Sequence, residues 1–274
     1  MPTHTPVRRG VIKRGQFIRS QAEQRLRVEY AELSLVGGRD DNQDRVAIAA
    51  TADAVLLVVA DGMGGHSDGA LAAETAVKLI VKSFELQSHP LLDPVGFLHL
   101  TLGRAHQQVV ALGLHLAVEL RPRATIAVCI VQGDSAWWAH IGDSRIYLLR
   151  QGKVTERTRD HSHVEFLIRE RVISAEQAQA HPMRNFVECC LGGEALLPEM
   201  TIGGLRRLQP KDTLLLCSDG FWGGLDEADI ATSISRGPAD AFPDTLGVLA
   251  ARAVAANGST SDNTSVAALR WLSA

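Results

Sequence analysis

The sequence predicts an α+β protein in which helices pack on the outside of antiparallel sheets. Three observations predict it. Short apolar strands succeed one another with turn residues between them, as in hairpins. Long stretches with apolar residues at helical spacing stand apart from those strands in two groups. The 274 residues, 46% hydrophobic and 22% charged, suffice for one large core or two small ones and are too apolar for disorder.

The elements follow in order. From Arg27, Val28 and Tyr30 fall on one face of a strand and Leu33 and Leu35 on the other. Residues 46–50 and 54–60 read as two more strands, the second apolar on both faces. Ser67 or Asp68 begins a helix to about Phe84, with Leu71, Ala72, Thr75, Ala76, Leu79 and Ile80 at helical spacing. Pro90 and Pro94 punctuate, and a second long helix runs from about Phe97 to Leu120, ending before Pro122. Strands over 124–131, 136–141, 145–149 and 154–157 are separated by Gly-Asp, Gly-Asp-Ser and Gln-Gly-Lys turn signals. Residues 160–190 are polar and histidine-containing, an excursion from the sheet with short helical pieces. Strands return at 200–208 and 213–217. Helices at about 227–235 and 246–256 precede a last strand at 264–269.

Charge and cysteine usage narrow the class. The net charge of −3 is a near-cancellation. Residues 1–27 hold seven Arg and Lys against Glu23 alone, an arm of +6 that leaves −9 on the remainder. The arm reads as a mobile, solvated tail, with a docking arm for an acidic partner or membrane surface as the alternative. A body of −9 argues against a two-metal nuclease, which needs a basic face. Cys129, Cys189, Cys190 and Cys217 form neither a disulfide scaffold nor a CxxC zinc site, and adjacent Cys189 and Cys190 read as buried packing residues. His161 and His163 read as exposed or capping rather than as zinc ligands. Of adjacent Trp137 and Trp138, one faces the core. No apolar run reaches the ~18 residues of a membrane helix, and the basic N-terminus lacks the apolar stretch of a signal peptide.

The informative feature is where carboxylates stand. The strand 55–60 runs into Asp61-Gly62, and 213–217 into Ser218-Asp219-Gly220. Residues 138–142 lead to Asp143, and Ser261-Asp262-Asn263 precedes the last strand. One Asp-Gly makes a turn. Four strand-end carboxylates incur desolvation and mutual repulsion that a divalent cation removes. Oxygen ligands without a matching Cys or His set select a hard ion, Mg2+ or Mn2+. Gly62 lets the backbone approach closely enough for its carbonyl to join the ligands. Asp44 is a fifth candidate. Arg39 is a planar cation able to hold a phosphate through two hydrogen bonds, with a surface salt bridge to Asp40 or Asp41 as the plain alternative.

On these residues the sequence resembles the bacterial metal-dependent type 2C (PPM family) serine/threonine protein phosphatases. RDDNQD (Arg39 to Asp44), ADGMGGH (Ala60 to His66), HIGDSRIYLLRQGKV (His140 to Val154), SDGFW (Ser218 to Trp222) and SDNTSV (Ser261 to Val266) match the family's motifs in order. The likeness covers about 29–272. It implies a four-layer αββα sandwich, two antiparallel sheets with helix pairs outside and a flap insertion at about 160–193, within a phosphatase domain spanning 28–274. It implies hydrolysis of phosphoserine and phosphothreonine on proteins by water activated between two ions, Mn2+ or Mg2+, with a weaker third ion. In that scheme Asp61 bridges the ions with the Gly62 carbonyl, Asp219 and Asp262 complete one ion, Asp44 and Gln43 serve the other, Asp143 binds the third, and Arg39 holds the phosphate. Arg39, Asp44 and Asp61 form the expected catalytic group. Expected partners are phosphorylated proteins and an opposing bacterial Ser/Thr kinase, with no nucleic acid and no integral membrane segment, for a cytoplasmic monomer.

The sequence departs from the family pattern in places. Met63 stands where many members have a proposed general-acid His, and His66 is a weak substitute. Gly223 replaces an Asp that supports the third ion. Arg123-Ala124-Thr125 replaces Gly-Thr-Thr, and Arg171 replaces a flap glycine. The alternative reading is a non-catalytic phosphoprotein-binding relative, against which the retained Asp44, Asp61, Asp219 and Asp262 argue.

Overall fold

The strand Ala54–Ala60 is buried along its whole length, and its side chains alternate between two cores. Val55, Leu57 and Val59 join one cluster, and Leu56, Val58 and Ala60 another. Period-two alternation thus makes this strand the middle of a layered structure.

The computed structural model describes residues 13–14, 26–64, 67–236 and 241–273. Along the chain lie β1 (Lys13–Arg14), β2 (Arg27–Leu35), β3 (Arg45–Ala50), β4 (Ala54–Ala60), β5 (Gly62–Met63), α1 (Ser67–Glu85) and α2 (Pro94–Leu112). Then come β6 (Arg123–Ala124), β7 (Ile126–Gln132), β8 (Ser135–Ile141), β9 (Arg145–Arg150) and β10 (Lys153–Arg157). The excursion carries α3 (His163–Arg169) and α4 (Ala175–Gln179) and returns at β11 (Leu191–Gly192). Last are β12 (Thr201–Arg207), β13 (Thr213–Cys217), α5 (Asp219–Trp222), α6 (Glu227–Arg236), α7 (Phe242–Asn257) and β14 (Thr264–Ser273).

Two antiparallel sheets result, ordered β1-β2-β14-β13-β9-β10 and β12-β8-β7-β4-β3, with a small ribbon β11-β6-β5. Their facing sides share one core, in which Leu57, Cys129 and Trp138 meet Leu148, Leu216 and Leu269. The five-stranded sheet's other side packs on α1 and α2 through Leu56, Ile130, Ile80 and Leu102. The six-stranded sheet's other side packs on α5 to α7 through Leu215, Ala268, Phe221 and Leu249. The order is helices, sheet, sheet, helices. In β2, Val28 and Tyr30 face the intersheet core while Leu33 and Leu35 face the helices, as the alternation predicts.

Some boundaries move for local reasons. Pro94 does not merely punctuate: it occupies the first turn of α2, where its missing N–H costs nothing, behind Asp93, whose carboxylate accepts from Gly96 N at 2.8 Å. The helix stops at Gly113, and a short 3-10 turn at Val118–Leu120 follows. The strand expected over 124–131 breaks at Thr125, whose N–H donates to the Asp61 carbonyl (2.8 Å). Cys189 and Cys190 are half-buried rather than buried, and burial raises both thiols, Cys190 to about 11. Trp138 is the core tryptophan. Lys13 and Arg14, within the segment read as a mobile arm, pair antiparallel with Ala31 and Glu32 at the edge of β2. Residues 1–12 and 15–25 of that arm lie outside the described residues, as does His66. Among the described residues no helix is long and apolar enough to cross a membrane.

The two-sided core makes a simple prediction. Leu57→Ala empties space between the sheets and should cost about 2–5 kcal/mol, read from urea unfolding. Leu100→Ala, on the exposed side of α2, should stay within about 0.5 kcal/mol. Equal costs would contradict this layering.

Candidate active site

Antiparallel pairing gathers the strand-end carboxylates. Arg45 opposes Ala60 in β3 and β4, so Asp44 and Asp61, each one residue beyond that pair, leave the sheet together. Cys217 opposes Val266, which brings Ser218-Asp219 beside Asp262-Asn263. The β8 end supplies Asp143. Asp61, Asp143, Asp219 and Asp262 line one cleft of about 510 Å³ with Arg39, Gln43 and Met63, and the buried Asp44 adjoins it.

The backbone there has no room to spare. A Cβ on Gly62 would come within 2.1 Å of the Gly69 carbonyl in the first turn of α1 and 2.8 Å of the Gln43 carbonyl. Gly37, at φ +67°, leaves 2.2 Å to the Asp262 carbonyl. Glycine alone permits these approaches.

The electrostatics are unfavourable by construction. Burial, and then the charges of neighbouring carboxylates, hold Asp61 and Asp143 well above the ordinary carboxylate range. Burial pushes Asp219 up to about 6, with Asp262 adding to the shift. Asp44 rises to about 7 through burial, although Ser218 Oγ donates to its Oδ2 at 2.7 Å. Asp44 Oδ1 and Asp219 Oδ1 are buried without a hydrogen-bond partner.

These features fit a divalent cation. Buried unpaired oxygens and carboxylates that resist ionisation next to one another are what such an ion stabilises. Among the described residues, however, no three His, Cys, Asp or Glu side chains converge as a finished ligand set. The oxygens at the cleft mouth are already in use. Asp262 gives both to Arg39, which donates from Nε (3.0 Å) and Nη2 (2.7 Å). Asp262 can therefore serve an ion only if the arginine yields an oxygen. The pair is exposed, and such pairs are worth about 0–1 kcal/mol, so the exchange is cheap. Arg39 thus pairs across 223 positions in sequence rather than with adjacent Asp40 or Asp41, which line the cleft.

Residues passed over in the sequence hold this arrangement. Asn263 uses its whole amide: Oδ1 accepts from Gln43 N (2.8 Å), and Nδ2 donates to the carbonyls of Val36 (2.8 Å) and Asp41 (2.9 Å). It staples the Arg39 loop to the start of β14. Ser218 stands at the N-cap of α5 but makes no capping bond, because its hydroxyl goes to Asp44. Asn42 accepts from Asp44 N (3.0 Å) and donates to Ser34 Oγ (2.7 Å). Their adjacency to strand-end aspartates was the available signal. Gly223 suits its place, since a Cβ there would sit 2.9 Å from the Asp219 carbonyl.

The excursion reaches the cleft through Asn185 and Val187. Its histidines are not simply exposed. His161 is half-buried, accepts from Gly142 N at 3.2 Å and stacks on His140, while His163 faces Glu188 (3.1 Å). A ring that accepts from a backbone amide is a packing and positioning group, not a zinc ligand.

Comparison with known proteins agrees. The serine/threonine protein phosphatase PstP of Mycobacterium tuberculosis is 34% identical over 184 residues, which are 67% of this chain and 34% of that protein's length. The chain therefore aligns with about a third of this relative. The solved S. agalactiae serine/threonine phosphatase superposes with a TM-score of 0.81 at 29% identity, covering 89% of this chain and 99% of that one. The catalytic domain of PstP in complex with two manganese ions gives 0.74 at 27% identity, covering 89% and 98%. Residues 38–257 match the family model described as Protein phosphatase 2C, and the chain belongs to that family.

Proposed function

We propose that this chain is a metal-dependent protein phosphatase that hydrolyses phosphoserine and phosphothreonine on proteins. The carrying observation is the set of buried, mutually repelling carboxylates at one cleft with a single arginine at its mouth. Asp61 and the Gly62 carbonyl would hold two ions, Asp219 and Asp262 would complete one, and Asp44 with Gln43 would serve the other. Asp143 is the candidate for a third. Bound Mn2+ or Mg2+ would neutralise the carboxylates and activate water for attack on phosphorus.

The chain's own groups do the rest. Arg39 is charged at every working pH and is already held by Asp262 at the cleft mouth, so an arriving phosphate exchanges one pair of oxygens for another. Met63 on the cleft wall supplies no proton, so the leaving alkoxide needs one from water or another group, and His66 lies outside the described residues. The relatives' names support protein substrates, and an opposing bacterial Ser/Thr kinase is the partner this reading expects. A monomer acting in the cytoplasm is the simplest setting for it. The segment 1–27 is an accessory to the body 28–274, and 160–193 is its flap.

Two experiments test the reading. With manganese the chain should release phosphate from a phosphothreonine peptide, and Asp61→Asn should lower this on the order of 100-fold or more. Full activity in excess EDTA would refute it. The same variant, measured without metal, should melt at a higher temperature than the parent at about pH 8, because one repelling charge is gone.

The pH dependence has a definite sign. Asp44 and Asp219 keep protons in the folded chain that the unfolded chain has released above about pH 4. The folded state therefore binds more protons, and its stability is lost as pH rises through about 6 to 7. In EDTA the melting temperature should fall from about pH 5 to about pH 8, and manganese should raise it more at the upper end. A melting temperature that climbs over that range in EDTA would sink the electrostatic account.

A further inference from the structure

Among the described residues, the excursion over 160–193 touches the cleft through Asn185 and Val187, so something must fix where those two residues stand. Its root is a short two-stranded ladder. Glu188 N donates to the His161 carbonyl (2.8 Å), Ser162 bridges Val187, and His163 N donates to the Phe186 carbonyl (3.0 Å). Residues 161–163 therefore carry 186–188, and with them the cleft-lining edge.

The ladder is tied to the catalytic turn at one residue. His161 N donates to the Gly142 carbonyl (2.9 Å), and Gly142 N donates back to His161 Nδ1 (3.2 Å). An accepting Nδ1 places the ring's proton on Nε2, which faces Thr201 Oγ1 of β12 at 2.9 Å. The other ring face stacks on His140, with centroids 4.6 Å apart and planes at 25°. His140 Nε2 in turn meets the Arg159 carbonyl at 2.7 Å. Gly142 is itself fixed at φ +99°, where a Cβ would come within 2.6 Å of the Thr125 side chain. The next residue, Asp143, is held from the opposite side by Trp222 Nε1 on its carbonyl (3.0 Å).

We propose that His161 is a positioning residue that registers the cleft-lining edge of the flap, Asn185 and Val187, against the Gly142-Asp143 turn. It ties the turn, both root strands and β12 at one point. It touches no reacting group, so its effect reaches substrate through the flap. A substrate large enough to meet the flap should feel its loss, and one that fills only the phosphate site should not.

The kinetic arm of the test rests on the phosphatase reading, and the exchange arm does not. His161→Leu should raise KM for a phosphothreonine peptide about 5- to 30-fold, the loss of one to two good hydrogen bonds, with p-nitrophenyl phosphate turnover changed by less than about 3-fold. Amide hydrogen exchange in the same full-length protein should quicken by about 10-fold at Gly142 and Glu188. His161→Asn keeps an acceptor at the position of Nδ1 and should approach the parent in both arms. His161→Gln reaches toward Thr201 but lacks that acceptor, and should behave as the leucine variant does. This amide pair, differing by one methylene, decides the matter if the leucine variant fails to fold. Equal exchange in the Asn and Gln variants, or equal shifts for both substrates, would overturn the proposal. A parent protein that hydrolyses neither substrate would instead refute the phosphatase reading, leaving the exchange arm to judge His161.

Discussion

Four aspartates that resist ionisation together are the constraint around which this molecule is organised. Asp44, Asp61, Asp143 and Asp219 are drawn out of water at the converging ends of two sheets, and each raises its neighbours' affinity for protons. An isolated cleft of this kind would spread apart or fill with protons. What holds it closed is the apolar body behind it. β4, β7 and β13 are buried on both faces, so their C-terminal or N-terminal ends cannot drift without opening two cores at once. The hydrophobic layers thus supply the stability that the acidic end consumes, and a divalent ion is the natural relief.

The polar residues around the cleft divide the remaining work. Arg39 and Asp262 neutralise one another at the solvent side, where the pair is weak enough to be exchanged. Ser218, itself buried, and the half-buried Asn42 hold the buried Asp44 from within, where a lost partner would be costly. Weak bonds therefore stand where ligands must enter, and strong ones where geometry must persist.

Much of this was legible in the sequence. Alternation placed Val28 and Tyr30 opposite Leu33 and Leu35, and continuous apolarity marked β4 as buried on two sides. Carboxylates at strand ends pointed to Asp61, Asp143, Asp219 and Asp262 as cleft residues, since an aspartate at either end of a largely apolar strand is at the rim of whatever that strand buries. What was not legible depended on pairing between distant segments. Nothing near Arg39 announces that its partner lies 223 positions away rather than beside it at Asp40. Asn263 reads as a turn residue until its three bonds to the 36–43 loop are seen. His161, judged by its polar neighbours, looked exposed. Its stacking on His140 brings a loop residue against β8, two segments that meet only in the fold. The limits of α2 shifted because Asp93 and Pro94 act as start signals together, while each alone reads as a loop residue.

Asn263 has a consequence in time. The residues it staples, Val36 to Gln43, are made well before Asn263, which follows Gln43 by 220 positions. β14, which begins at the next residue, is also the strand inserted between β2 and β13. During synthesis the Arg39 loop thus waits for its staple, whereas Asp44 and Asp61 are already brought together by the pairing of β3 with β4. Closure of the six-stranded sheet and anchoring of the Arg39 loop become one event, set by the arrival of β14. A fragment that stops at Asn263 would carry Arg39 and the cleft-lining aspartates but lack β14, the strand that joins the β2 and β13 sides of its sheet. The Arg39 loop and the Asp262 side of the cleft are thus brought together only once β14 has been made and paired.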